Sequence, residues 1–206
     1  MRKKLLIMMM ASFLAVGMFA CGSSDTKSGA DDADQQPGQE ETAENENEVT
    51  EEDGLRKEVI YTDKALNLTG ETGPFKYTIA AIQVSKVTAL TESAAELLDI
   101  EKDEEVTVVT IQASAENTSD DTNSFYIGQA QLTSNTKEQV DCDMLFSEYI
   151  DGEFLGKVVH EGTLTYILPK TKAEELLQIT LHIDAPHDEN FENIGENIKI
   201  DIKIEK

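Results

Sequence analysis

Tryptophan is absent from the 206 residues, and proline (4), histidine (3) and cysteine (2) are scarce. Two cysteines exclude a multi-disulfide scaffold, and with three histidines they leave no Cys/His cluster able to supply four zinc ligands. Basic residues are few as well: 17 Lys and Arg stand against 41 Asp and Glu, a formal charge of −24. A surface of that sign repels phosphates, so nucleic acid is excluded as a partner. Long apolar runs are missing after the first twenty residues, and so are a Gly-x-Ser-x-Gly elbow, a His-Glu-x-x-His pair and a P-loop. What remains divides into three unlike segments.

The first spans residues 1–20. Arg2, Lys3 and Lys4 precede an uncharged run from Leu5 to Ala20. As a helix that run reaches roughly 24 Å, short for a bilayer span and suited to an export signal. It closes on Ala20-Cys21-Gly22-Ser23-Ser24. A small residue followed by Cys at the end of a short apolar run resembles a bacterial lipoprotein signal. The resemblance implies that Cys21 receives a diacylglyceryl group of the palmitate type and becomes the new N-terminus. Two acyl chains suffice for stable anchoring, so the expected location is the extracytoplasmic face of the cell membrane, with the bilayer as partner through Cys21.

The second segment, residues 21–54, is expected to be a disordered tether. From Gly22 to Gly54 there are 12 acids and one base, Lys27. With so little apolar surface, nothing offsets the entropy of ordering the chain. Such a coil spans roughly 30 Å when flexible and about 110 Å at full extension.

Residues 55–206 read as one β-rich domain. Ile198, Ile200, Ile202 and Ile204 alternate with polar residues, as do Ile179, Leu181 and Ile183, and Leu164, Tyr166 and Leu168. Phe75, Tyr77 and Ile79 share one parity, Ile82 and Val84 the other, so a bulge is expected at Ala80-Ala81. Val106 and Val108 against Val109 and Ile111 mark a strand buried on both faces. Phe125 to Leu132, then Val140, Cys142 and Met144, read as two strands joined at Ser134–Lys137. Capping-box spacing at Ser93…Glu96 and Thr171…Glu174 announces two short helical turns. The fold class expected is therefore all-β: an antiparallel β-sandwich with one or two helical turns.

The order of features from Glu105 to Asp184 is also similar to a known family. A strand ends on Glu116-Asn117-Thr118, Phe125-Tyr126-Ile127 follows, and His160-Glu161-Gly162 leads into Leu164-Tyr166-Leu168-Pro169-Lys170. This resembles the immunoglobulin-like domains of unknown function in lipoproteins of Gram-positive bacteria. It implies a fold and a location, and no catalytic residues.

Chemistry is sparse. Cys142 reads as a small buried thiol, with no disulfide partner once Cys21 is acylated. His182 and His187 flank Asp184, a weak metal spacing with His182 on the solvent parity. Oxygen-rich Glu116, Asp120 and Asp121 are the candidate metal ligands, for calcium as the alternative to having no cofactor, although the EF-hand order is missing. The expectation is thus a non-enzymatic binding or interaction module, with an envelope protein as its possible partner. The alternative is a calcium-responsive envelope module.

Overall fold

Thirteen strands, one short α-helix and two 3-10 turns account for the computed structural model, which describes residues 48–206. The segment expected to be an export signal, Cys21 and most of the span expected to be a tether lie outside the described residues. β1 (Val49–Glu52), β2 (Leu55–Asp63), β3 (Leu68–Thr72), β4 (Phe75–Ala89), β5 (Glu105–Asn117) and β10 (Val159–Leu168) form one antiparallel sheet. Its order is β1-β2-β4-β5-β10, with β3 beside β4. A second sheet runs β13-β11-β7-β8, built from β13 (Ile198–Lys203), β11 (Gln178–Ile183), β7 (Gln131–Ser134) and β8 (Gln139–Val140). The third and smallest has β6 (Thr122–Ser124) between β12 (His187–Asp188) and β9 (Glu153–Leu155).

Alternation makes the sandwich. Ile82, Val84, Val109, Ile111, Leu164, Tyr166 and Leu168 from the first sheet join Leu132, Ile179, Leu181, Ile183, Ile200 and Ile202 from the second in one core. Tyr166 is fully buried, and its hydroxyl donates to the Ala130 carbonyl at 3.0 Å. That bond satisfies the polar tip of the largest wholly buried side chain.

The two-faced burial of β5 has a specific cause. On its opposite face Val106 and Val108 meet Leu55, Val87 and Ala89, and this patch is covered by Ala94, Ala95 and Leu98 of helix α1 (Glu92–Leu98) and by Phe146. The expected bulge in β4 is present, since its register with β5 shifts between Ile79 and Ala81. It lies where β3 gives way to β2 along the same edge: Leu68–Thr72 pairs with Phe75–Ile79, and Leu55–Asp63 with Ile82–Ala89. The bulge lets Ile79 and Ile82, on opposite parities, enter the same core.

Five expectations shift in the structure. β1 falls within the span assigned to the tether, because Asp53 (φ 50°) and Gly54 (φ 82°) turn Glu52 back onto Leu55. Two consecutive positive φ values are those of a type I′ hairpin, for which Asp-Gly is the favoured pair. Helix α1 is capped by Thr91, whose hydroxyl accepts from the Ala94 amide at 3.3 Å, two residues before Ser93. At the other capping-box site the helix is only a 3-10 turn, Ala173–Glu175, since Thr171 is engaged elsewhere. Its amide donates to buried Glu138 at 2.7 Å, and its carbonyl accepts from Thr107.

The single strand expected over Phe125–Leu132 is broken by a 3-10 turn at Ile127–Gln129. Buried parity changes there, from Phe125 and Ile127 to Ala130 and Leu132, and the turn absorbs the change as the chain passes from the third sheet to the second. Cys142 and Met144 likewise leave the strand that ends at Val140. Asp143 accepts from the Leu145 and Phe146 amides, a turn that sends Phe146 inward and leaves Met144 exposed.

Candidate functional site

The third sheet is too small to have a core of its own, and it borrows one. Phe154 from β9 and Phe125 just after β6 pack on Phe75, with ring centroids 5.0 and 5.1 Å apart. Asn123 and Phe154 are buried on the inner face. Opposite them, the register sets His187 beside Ser124 and Ser124 beside Glu153. Leu155, two residues beyond Glu153, is 68% exposed on that outer face.

The loop after β12 extends the outer face. Asp188 Oδ1 accepts from the Asn190 and Glu192 amides at 2.8 and 2.9 Å, and the Asp188 carbonyl accepts from Phe191 N. These bonds hold Phe191 at φ 62° and leave the residue 81% exposed. A bulky residue in the left-handed region, held there with its ring in solvent, is uncommon. The Glu192 amide, followed by that of Asn190 and the nearby His187, holds the Asp188 carboxyl below its ordinary pKa.

Tyr126 approaches from the other side. Its ring covers Gly152 so closely that a β-carbon there would collide with it. The outcome is a ladder of three rings: Tyr126 to His187 at 5.8 Å and His187 to Phe191 at 5.2 Å, tilted by 36° and 32°. His187 Nδ1 lies 3.0 Å from the Asp188 carbonyl, which can only accept, so Nδ1–H donates and fixes the ring. In the segment that carries His187 and Phe191 the charge is of one sign: residues 184–197 hold five acids and no Lys or Arg.

The other residues singled out from sequence are dispersed. His182 bonds Thr133 at 2.9 Å on the second sheet, apart from the ladder that holds His187. His160 stacks on Phe154 at 4.3 Å. Asn117 is buried and organises the acidic loop: its amide donates to the Asp121 carbonyl and its oxygen accepts from Ser119 N. Asp120 is tied to Lys157 at 2.9 Å, and Glu116 lies in β5 opposite Val159. Among the described residues, no three His, Cys, Asp or Glu side chains are grouped to hold a metal ion, those three acids included. Cys142 is half-buried with Sγ 3.2 Å from Ser147 Oγ, and burial raises its thiol pKa, which disfavours the thiolate.

A family model described as a domain of unknown function, DUF5068, matches residues 32–205. The chain belongs to the DUF5068 family. A curated relative, the SPbeta prophage-derived uncharacterized lipoprotein YonS of Bacillus subtilis (strain 168), is 30% identical over 139 residues. That match takes in 66% of this DUF5068 chain and 61% of the relative, so the chain spans less than two thirds of that protein's length. Among solved structures, a functionally unknown protein from Listeria monocytogenes EGD-e has the same fold. Its TM-score is 0.54 at 14% identity, over 72% of this chain and 88% of that one. A putative lipoprotein (ycdA) from Bacillus subtilis matches 66% of this chain and 38% of its own, at 15% identity and a TM-score of 0.45.

Tyr126 and Phe191 had no signature in the sequence of this DUF5068 member. The ladder joins segments 61 and 4 residues apart, and no local pattern links the first two. One local sign exists, an Asp-x-Asn turn followed at once by an aromatic residue in an otherwise polar loop. Among the described residues no helix is long and apolar enough to cross a membrane.

Proposed function

We propose that this protein is a lipid-anchored extracytoplasmic module that binds a partner in the cell envelope without catalysis. The observation that carries the proposal is the Tyr126–His187–Phe191 ladder on the small sheet, with Tyr126 and Phe191 exposed. Rings left in solvent, one of them held there by three hydrogen bonds within its own loop, are the usual material of a binding surface. Anchorage through a diacylglyceryl group on Cys21 is supported by the signal-like N-terminus and by the lipoprotein name of the relative. An immunoglobulin-like sandwich, resembling those of Gram-positive lipoproteins, would carry that surface outside the membrane.

Two linked measurements test this. Cys21→Ser is expected to release the protein into the medium or leave an uncleaved precursor, and unchanged membrane fractionation overturns the anchor. A photocrosslinking residue in place of Phe191, in intact cells, is expected to form a discrete adduct with an envelope component. The same residue in place of Leu177, also exposed but at the opposite end of β11 from the segment that carries His187, is the control. Equal labelling from both positions, or none from either, overturns the binding surface.

A further inference from the structure

The outer face of the third sheet is chemically uneven in a way that defines what fits it. Its centre is a π surface of three rings spaced 5.8 and 5.2 Å apart. Its borders are carboxylates: Glu153 lies across Ser124 from His187, and Glu192 follows Phe191 directly. Ring faces carry negative electrostatic potential, so an ammonium or guanidinium group within about 6 Å of a ring centroid is attracted to them. Carboxylates at the border add to the same field. An anionic ligand meets repulsion from both, and a neutral apolar ligand would desolvate the border acids without compensation.

The face is also larger than a single cation needs. Three strands at about 4.8 Å spacing separate the Phe191 loop from exposed Leu155, which adds an apolar step beyond Glu153. Resting on the reading of this face as a binding surface, we infer that its occupant is an extended Lys- or Arg-bearing segment of a partner protein. A basic side chain lies on the exposed ring of Phe191, and the flanking residues cross towards Leu155. The overall charge of −24 favours encounter with such a segment but does not place it, and the ladder does.

The test uses the full-length chain in detergent micelles and a Gly-Lys repeat peptide as probe, followed by NMR of the aromatic rings. The Tyr126, His187 and Phe191 signals are expected to move on titration, while an acetyl-lysine version of the peptide leaves them unmoved. Phe191→Leu keeps an apolar side chain but loses the ring face, and should weaken binding about five-fold. Leu177→Ala, at the far end of β11, should leave affinity unchanged. Equal weakening by the two substitutions, or equally tight binding of spermidine, overturns the inference in favour of diffuse charge attraction. Because Phe191 is exposed, a melt matching wild type confirms that Phe191→Leu is folded. If instead the Phe191 variant loses its fold, Glu153→Gln must show the weakening for the inference to stand. A peptide that never shifts the rings, alongside an adduct from position 191 in cells, defeats the cationic occupant and leaves the binding surface intact. Loss of both defeats the two together.

Discussion

Lys57 shows how one residue sets a pH dependence. It lies on β2 with 4% of its surface exposed, and burial lowers its pKa from 10.5 to about 8, against an opposing pull from Glu48. Below pH 8 the folded and unfolded chains both carry the charge, and the folded one bears the cost of burying it. As pH rises from 8 to 10.5 the folded form releases its proton first, so this group's contribution to stability increases across that window. Replacing it with an apolar residue of similar length should remove this pH dependence. Relative to wild type, Lys57→Met is expected to lose up to about 3 kcal/mol of stability between pH 7 and 10.5. Tyr61, Cys142 and Tyr166 have pKa values raised by burial and act in the opposite sense at high pH. The measurement is therefore the difference between the variant and wild-type denaturation midpoints at each pH. A difference that stays constant from pH 7 to 10.5 would contradict the burial argument.

Turns couple elements that are distant in the chain. The Asp53-Gly54 hairpin does more than join β1 to β2. The Gly54 carbonyl accepts from Leu90 N at 2.7 Å, and a β-carbon on Gly54 would collide with the Thr91 side chain. Thr91 is the cap of helix α1, which covers the second core. Gly54→Ala thus strains a positive-φ turn and disturbs a cap in one step. We expect a loss of about 2 kcal/mol, against about 1 kcal/mol for Thr91→Ala. A double-mutant cycle followed by urea denaturation should show the two losses to be non-additive, and full additivity would separate turn from cap.

Strands that bury one face were legible in the sequence, because β11 and β13 each carry a clean period of two. The bulge in β4 and the two-faced burial of β5 were equally readable, since each breaks that period in a defined way. The 3-10 turn at Ile127–Gln129 was not, because apolar residues on both sides of a parity change look like one continuous strand. Nor was the ladder. Tyr126 meets His187, which in turn contacts Phe191, only once β6 and β12 have paired, and that pairing is set by the shared core around Phe75 rather than by any local signal.

For the whole molecule, charge acts in two directions. Residues 55–206 carry 29 acids and 13 bases, an imbalance that makes the folded domain repel itself. Ion pairs relieve this only locally. Lys86 bridges Glu58 and Glu174 at 3.2 and 3.0 Å, while Lys157–Asp120 and Arg56–Glu51 are exposed pairs of small value. Screening weakens repulsion within the chain, so stability should rise with salt. The same screening weakens attraction between the acidic face and a cationic segment, so affinity should fall. Between about 10 and 150 mM sodium chloride the Debye length shrinks from about 30 to 8 Å. Over that range the melting temperature is expected to climb by a few degrees, while binding of the Gly-Lys peptide weakens several-fold. Chloride is preferred to sulfate, whose exclusion from protein surfaces stabilises folded chains irrespective of their charge. Opposite slopes in the two titrations tie both effects to one field. A melting temperature indifferent to salt would mean that the acids are already far enough apart, and a peptide affinity indifferent to salt would leave the rings alone as the source of binding.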